Sequence, residues 1–182
     1  MFAITPRLTL RPGWPEDAPE LACAIGHEAV VTKLARAPWP YALGDAQSFL
    51  DRPQSPHEPG FLVFERTADE PRLVGGVGID LAAEDGPELG YWYRPDAWGR
   101  GYATEAGRAV VAIARDALKL KRLQSGHFLD NPASGRVLTK LGFRPTGRVA
   151  QRHCRARGHD VPCALFELDL DDSRTGPMPL AA

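Results

Sequence analysis

Residues 98–108 read WGRGYATEAGR. Two glycines flank an arginine, and apolar residues then recur at helical spacing: Ala106, Ala109 and Val110, Ile113 and Ala117. Just upstream, ELGYWY (88–93) reads as a strand. The stretch is therefore a strand-to-helix connection. Two readings stand beside each other. The glycines make a tight turn, as such connections often need. Alternatively they let backbone approach an anion at a helix N-terminus, where unpaired N–H groups and partial positive charge meet it. Arg100 adds a full charge. A Walker A loop needs GxxxxGK[ST], and no such run occurs. A Rossmann GxGxxG loop would need glycine where Thr104 stands, after a parallel strand.

The surrounding pattern predicts a mixed α/β chain. Residues 7–11 (RLTLR) alternate as an edge strand, and 17–31 read as one helix carrying Leu21, Ile25 and Ala29 on a face. A short helix is expected over 45–50, with Gly44 or Asp45 at its cap. Residues 61–66, 72–81 and 88–93 form a meander, with turns at 67–71 and 84–86. Gly75, Gly76 and Gly78 weaken their strand and mark either a bulge or the close approach of another backbone. After the helix from 104 to 118 come a strand over 122–128 and a helix opened by Asn131-Pro132 and closed by Gly142. Strands over 143–150 and 164–170 end the pattern. Meander and β-α-β-α-β together give a mixed sheet covered by helices.

The whole chain sets further bounds. Its 182 residues, 43% hydrophobic and 25% charged, suit a single soluble domain over 1–170, with a frayed tail at 171–182. A net charge of −1 advertises no nucleic-acid partner. No apolar run reaches the ~18 residues of a membrane span, and the first residues do not read as a secretion signal. The cytoplasm is the expected compartment. Three cysteines without a CxxC suggest neither a disulfide framework nor a zinc site, and five scattered histidines suggest no metal. The proline-rich segment 38–59 also carries Trp39, Tyr41, Phe49 and Leu50, so it reads as a packed flap rather than a linker.

ELGYWYRPDAWGRGYATEAGRAVVAIA (88–114), followed by DNPASGRVLTKLGF (130–143), resembles the GNAT acyl-CoA N-acyltransferases. The likeness is greatest to the ribosomal-protein N-terminal acetyltransferase (RimJ/RimL-like) branch, which TPRLTLRP, WPEDAPEL and GHDVPCALFELDL also resemble. It spans roughly residues 5–170. The resemblance implies a twisted, mostly antiparallel mixed sheet of about seven strands flanked by about four helices. It implies acetyl-CoA as co-substrate and transfer of its acetyl group to a primary amine, either a protein or peptide N-terminus or a small amine. Monomer and homodimer both remain open.

By that resemblance the pyrophosphate seat is Trp98, Gly99, Arg100, Gly101, Tyr102, Ala103 and Thr104, gripping mainly through backbone N–H groups. The strand before it splays from its neighbour at a bulge, and Tyr91 and Tyr93 offer main-chain groups to the pantetheine arm. Asn131 caps the next helix and reaches that arm, and Ser134 lies near the sulfur. Many relatives carry a tyrosine where Leu138 stands, which leaves Ser134, or a water, as proton donor. Glu88 shares a strand face with Gly90 and Trp92 and is the candidate base, acting through water. Its plain alternative is a solvated or salt-bridged carboxylate at a strand start. The rival function is a non-catalytic coenzyme A-binding or interaction module that keeps the fold.

Overall fold

The computed structural model describes residues 1–53, 58–83 and 86–171. Residues 84–85 of the expected turn, 54–57 of the proline-rich segment and the tail beyond 171 lie outside the described residues. The chain starts with β1 (Ala3–Ile4), β2 (Leu8–Arg11), α1 (Ala18–Ile25), α2 (Glu28–Val31) and α3 (Leu43–Leu50). The meander is β3 (Gly60–Glu65), β4 (Arg72–Asp80) and β5 (Glu88–Tyr93). Then come α4 (Tyr102–Asp116), β6 (Arg122–Phe128), α5 (Pro132–Lys140), β7 (Arg144–Cys154) and β8 (His159–Asp169).

All strands join one eight-stranded sheet in the order β1-β2-β3-β4-β5-β6-β8-β7. Every neighbouring pair is antiparallel except β5 and β6, which α4 connects as a parallel crossover. The count exceeds the expected seven because Ala3–Ile4 pairs with Thr9 and Leu10. The helix expected over 17–31 is two. Gly26 N–H still bonds Ala22 O at 3.0 Å, and His27 then turns extended at φ −117° and ψ 128°. The short helix begins at Leu43, not at Asp45; Asp45 lies in its first turn and accepts from Ala42 N–H at 2.9 Å. The last two strands run longer than expected. They form a hairpin whose turn passes through Gly158 at φ 69°.

Helices cover both faces. On one face α4 buries Tyr102, Ala106, Val110 and Ala114 with Leu138, Leu141 and Phe143 against Val63, Val77, Leu89 and Tyr93. On the other, α1, α2 and α3 bury Leu21, Val31, Ala46 and Leu50 against Leu62, Phe64 and Leu73. Trp92 packs against this second core. Thus β5 sends Leu89, Tyr91 and Tyr93 toward α4 and α5, and Glu88, Gly90 and Trp92 toward the N-terminal helices.

Gly75 shows why β4 carries glycines. A Cβ there would lie 2.3 Å from Trp92 O and 2.5 Å from the Tyr93 ring. Neither neighbour is the loose end of a flexible chain. Gly75→Ala is expected to cost about 1–3 kcal/mol of stability, read as a lower urea midpoint.

Candidate functional site

β5 and β6 pair at a single position, Glu88↔Gln124, and then diverge. Two bonds fasten the origin of the split: Gln124 N–H to Pro87 O and the buried Ser125 Oγ to Leu89 O, both 2.8 Å. On its other side β5 stays in register with β4 from Glu88 to Tyr93. The splay expected from the sequence is present, but no bulge accompanies it on β5. The nearest register shift lies between β3 and β4, at Val63/Phe64. Divergence comes instead from what the strands pack on, since β6 turns away to pair with β8 along its whole length.

Backbone alternation fixes what β5 offers to the gap. Arg94 N–H bonds Val74 O in β4 at 3.0 Å, whereas the carbonyls of Pro87 and Leu89 point toward β6. Tyr91 N–H and C=O and Tyr93 N–H therefore face the opening. The Trp98 indole N–H takes the Tyr93 carbonyl at 2.7 Å, so Trp98 closes the far end of the strand. The backbone then enters α4 through Gly99 at φ 75° and Gly101 at φ 81°. Left-handed backbone at both positions is what glycine permits. Among the described residues outside the chain neighbours, no atom lies within 4 Å of a Cβ built at Gly99, and only Arg7 Nη2 (3.6 Å) of one at Gly101. The first N–H groups of α4 thus sit under open space.

Individual side chains depart from the sequence reading. Arg100 turns away from the helix axis and grips Glu65, at 2.6 and 3.2 Å, rather than lying free over the turn. Tyr102 is buried, with its hydroxyl also on Glu65. That hydrogen bond, joined by Arg100, holds the Glu65 carboxyl below its ordinary range against the opposing pull of burial. Tyr102 can offer a ligand only its main chain, and the exposed Arg100 guanidinium is already shared with Glu65. Ala103 and Thr104 are half-buried on the first turn. An open cavity of about 730 Å³ is lined by Thr104, Gly101, Arg7, Arg108 and Lys140, among others. Arg7 also ties the turn down: it donates to Arg100 O at 3.0 Å and pairs with Glu105 at 2.7 Å. Reading residues 7–11 as an edge strand missed these roles, because the partners lie about a hundred positions away.

Across the gap, Asn131 opens α5 but its side chain makes no capping hydrogen bond; its carbonyl accepts from Ser134 N–H at 3.1 Å. Ser134 Oγ is 2.8 Å from the Tyr91 hydroxyl. Burial, only partly offset by that bond, pushes the Tyr91 phenol up to about 12. Leu138 is fully buried in the core. His127, near the end of β6, packs on Phe166 with ring centroids 5.5 Å apart and planes tilted by 45°, and its Nδ1 meets Phe128 O at 2.8 Å.

On the face of the N-terminal helices, Glu88 forms an ion pair with Arg152 of β7. Directly opposite on β4, Asp80 pairs with Arg36, from the segment after α2. Burial would raise the Asp80 carboxyl, but Arg36 and two backbone N–H bonds, from Ala82 and Ala83, hold it below its usual range. One same-face step along β5 from Glu88, and opposite Gly78, Gly90 is exposed, and among the described residues outside its chain neighbours no atom lies within 4 Å of a Cβ built on it. The β7–β8 turn closes this side: Arg155 N–H bonds Ala35 O at 2.9 Å and Arg157 Nε bonds Thr32 O at 2.7 Å. Tyr41 packs against the second core and Trp39 is exposed.

A strand pair that opens beside a glycine-led helix N-terminus, within this sheet order, is the frame of an acyltransferase. The family model described as "Acetyltransferase (GNAT) domain" matches residues 7–144, and the chain belongs to that family. It is 34% identical to "Probable N-acetyltransferase YjcK" of Bacillus subtilis over 133 residues, 69% of this chain and 70% of that protein. Identity to "Uncharacterized N-acetyltransferase YoaA" of the same organism is 36% over 85 residues, so the match spans 46% of this chain and 48% of that protein. Among solved structures, the ribosomal-protein-S5-alanine acetyltransferase of Vibrio fischeri superposes with a TM-score of 0.76 at 18% identity, covering 94% of this chain and 98% of that one. The microcin C7 self immunity acetyltransferase MccE, in complex with acetyl-CoA and AMP, superposes with a TM-score of 0.74 at 21% identity, covering 91% and 93%. Among the described residues, no helix is long and apolar enough to cross a membrane.

Proposed function

We propose that residues 1–170 form an acetyl-CoA-dependent N-acetyltransferase that acts in the cytoplasm on a primary amine. The splay between β5 and β6 carries this reading, because it opens main-chain groups of Tyr91 and Tyr93 beside the N-terminus of α4. The thioester supplies an activated acyl carbon, so no protein nucleophile is needed. Holding amine and thioester together accounts for much of the rate. Gly99, Gly101 and the N–H groups of Tyr102, Ala103 and Thr104 seat the pyrophosphate. Trp98 ends the groove, and Arg7, Arg108 and Lys140 face the nucleotide's remaining negative charge. Tyr91 and Tyr93 pair with the pantetheine amides, and Tyr91 N–H polarises the thioester carbonyl. Asn131 lies against the same arm. Ser134 serves the sulfur, and Glu88 takes the amine proton through water.

The amine enters over Gly90, beside the facing Asp80–Arg36 and Glu88–Arg152 pairs. A protein or peptide N-terminus is the first choice of acceptor. The likeness to a ribosomal-protein acetyltransferase supports it, and a small amine is the second choice. Thiol release from acetyl-CoA with a panel of N-terminal peptides, lysine peptides and small amines tests the reading. Turnover on any of them is the expected result. Binding of acetyl-CoA with no turnover on the whole panel would favour a non-catalytic coenzyme A-binding module. Absence of binding would overturn both. Because Arg100 is engaged by Glu65, Arg100→Ala is expected to weaken acetyl-CoA binding by only about threefold, as loss of an exposed ion pair does.

A further inference from the structure

Tyr91 reaches the gap twice. Its N–H faces the opening between β5 and β6, and its phenol crosses beneath that opening to the first turn of α5. There the hydroxyl is 3.0 Å from Ser134 O and 2.8 Å from Ser134 Oγ. These bonds join residues 43 positions apart. They are the side-chain link between the strand that presents the thioester and the helix that lies over its sulfur. We propose that Tyr91 is a positioning residue: it orients Ser134 Oγ to donate a hydrogen bond to the coenzyme A sulfur, which departs as a thiolate. This rests on the reading of the site as an acetyl-CoA site.

The hydroxyl inventory of α5 supports the assignment. Thr139 Oγ1 donates back to Gly135 O at 3.0 Å. Leu138, one turn beyond Ser134, is fully buried and carries no donor. Ser134 is the remaining hydroxyl of the helix, and β5 holds it. The phenol has one proton and two acceptors within reach, both on Ser134. With the sulfur neutral, that proton rests on Ser134 O and the serine hydroxyl leans on the phenol oxygen. When charge develops on sulfur, Ser134 turns its O–H outward. A rotation about the phenol C–O bond then brings the Tyr91 proton onto Ser134 Oγ. Two aligned O–H dipoles replace one, and a hydrogen bond to a charged acceptor is about twice as strong as a neutral one.

The magnitudes separate hydrogen bonding from proton transfer. A thiol ionises near 8.5, whereas burial pushes the Tyr91 phenol up to about 12. Giving its proton to the thiolate would run uphill by about three powers of ten. The pair therefore stabilises the thiolate and keeps both of its own protons. The balance closes without an acid: the amine nitrogen bonds the acyl carbon, the C–S electron pair stays on sulfur, and the amine proton leaves by the Glu88 side. The thiolate picks up a solvent proton after release.

The test is a titration of coenzyme A bound to the protein, followed by the ultraviolet absorbance of its thiolate. Wild type is expected to lower the bound thiol's midpoint by about one unit, a tenfold preference for the thiolate. Tyr91→Phe and Ser134→Ala are each expected to return it to within a few tenths of the free thiol. Ser134→Ala keeps the Tyr91 bond to the residue-134 carbonyl, so it probes the hydroxyl even if Tyr91→Phe folds poorly. In turnover, Tyr91→Phe is expected to lower kcat several-fold with the KM for acetyl-CoA unchanged. A bound thiol that titrates alike in wild type and Ser134→Ala, at equal coenzyme A affinity, overturns the proposal and leaves the acetyltransferase reading standing. Failure of wild type to bind coenzyme A overturns that reading, and the proposal with it.

Discussion

Gly101→Val is expected to weaken acetyl-CoA binding by more than about 100-fold, or ~2.7 kcal/mol, in a calorimetric titration. Two effects combine. Gly101 sits at φ 81°, immediately before the first residue of α4. A β-branched L-residue is a genuine outlier there. Relief of that strain would rotate the first N–H groups of the helix away from their common direction. The isopropyl group would also fill the open space over the helix end, where a Cβ meets only Arg7. Gly147 provides the control. It has φ 78° and nothing within 4 Å of a built Cβ, but it lies on edge strand β7. Gly147→Val carries the same kind of strain and is expected to cost stability while leaving affinity unchanged. Gly101→Asn separates strain from bulk. Asparagine tolerates left-handed backbone better than valine does, and a partial recovery of binding is expected. A folded Gly101→Val protein with wild-type affinity would remove the pyrophosphate seat from this turn.

What was legible in the sequence is what local physics writes there. The helix behind WGRGYATEAGR announces itself by period; Ala106 and Val110 of the expected face are fully buried, but the buried row continues through Ala114, while Ile113 is half-buried and Ala117 exposed. Gly142 ends α5 in left-handed backbone, φ 94°, as its position suggested. The break at Gly26 was hidden because Leu21, Ile25, Val30 and Val31 are apolar on both sides of it. The hairpin through 151–163 was hidden for the opposite reason. β7 is an edge strand exposed along most of its length, so QRHCRARGHD shows no inside and outside to alternate. The side-chain pairings at the site leave no local trace at all. Arg152 meets Glu88 across 64 residues, Arg36 meets Asp80 across 44, and Arg7 meets Glu105 across 98. The sequence places the turn through Gly99 and Gly101 ahead of α4, but it shows no partner for the Arg100 charge, which lies on Glu65. Glu88 is legible there as a base or as a solvated or salt-bridged carboxylate, and the structure shows it in an ion pair.

That pairing makes Glu88→Gln the more revealing substitution. Its expected effect is a fall of about 10²–10³ in kcat/KM at neutral pH, the usual worth of a positioned acid–base group. The pair with Arg152 does not bar the role. One carboxylate oxygen, Oε1, meets the guanidinium, and the carboxylate has further lone pairs for a water that carries the amine proton. Glutamine keeps the shape and a hydrogen bond to Arg152 while losing the basic oxygen. The residual reaction must then draw on amine that has already lost its proton. Its rate should climb about tenfold per pH unit until the acceptor's own ionisation is passed, where it levels off. That plateau reports the acceptor class: near ~8 for an α-amino group and near ~10.4 for a lysine side chain. Wild type should be flatter over the same range, because Glu88, through water, is then expected to take the first proton from the bound ammonium before attack. A variant with the wild-type rate and profile would show that Glu88 is structural. Asp80, paired directly across the strands, would then be the carboxylate to replace, since it borders the same floor at Gly90.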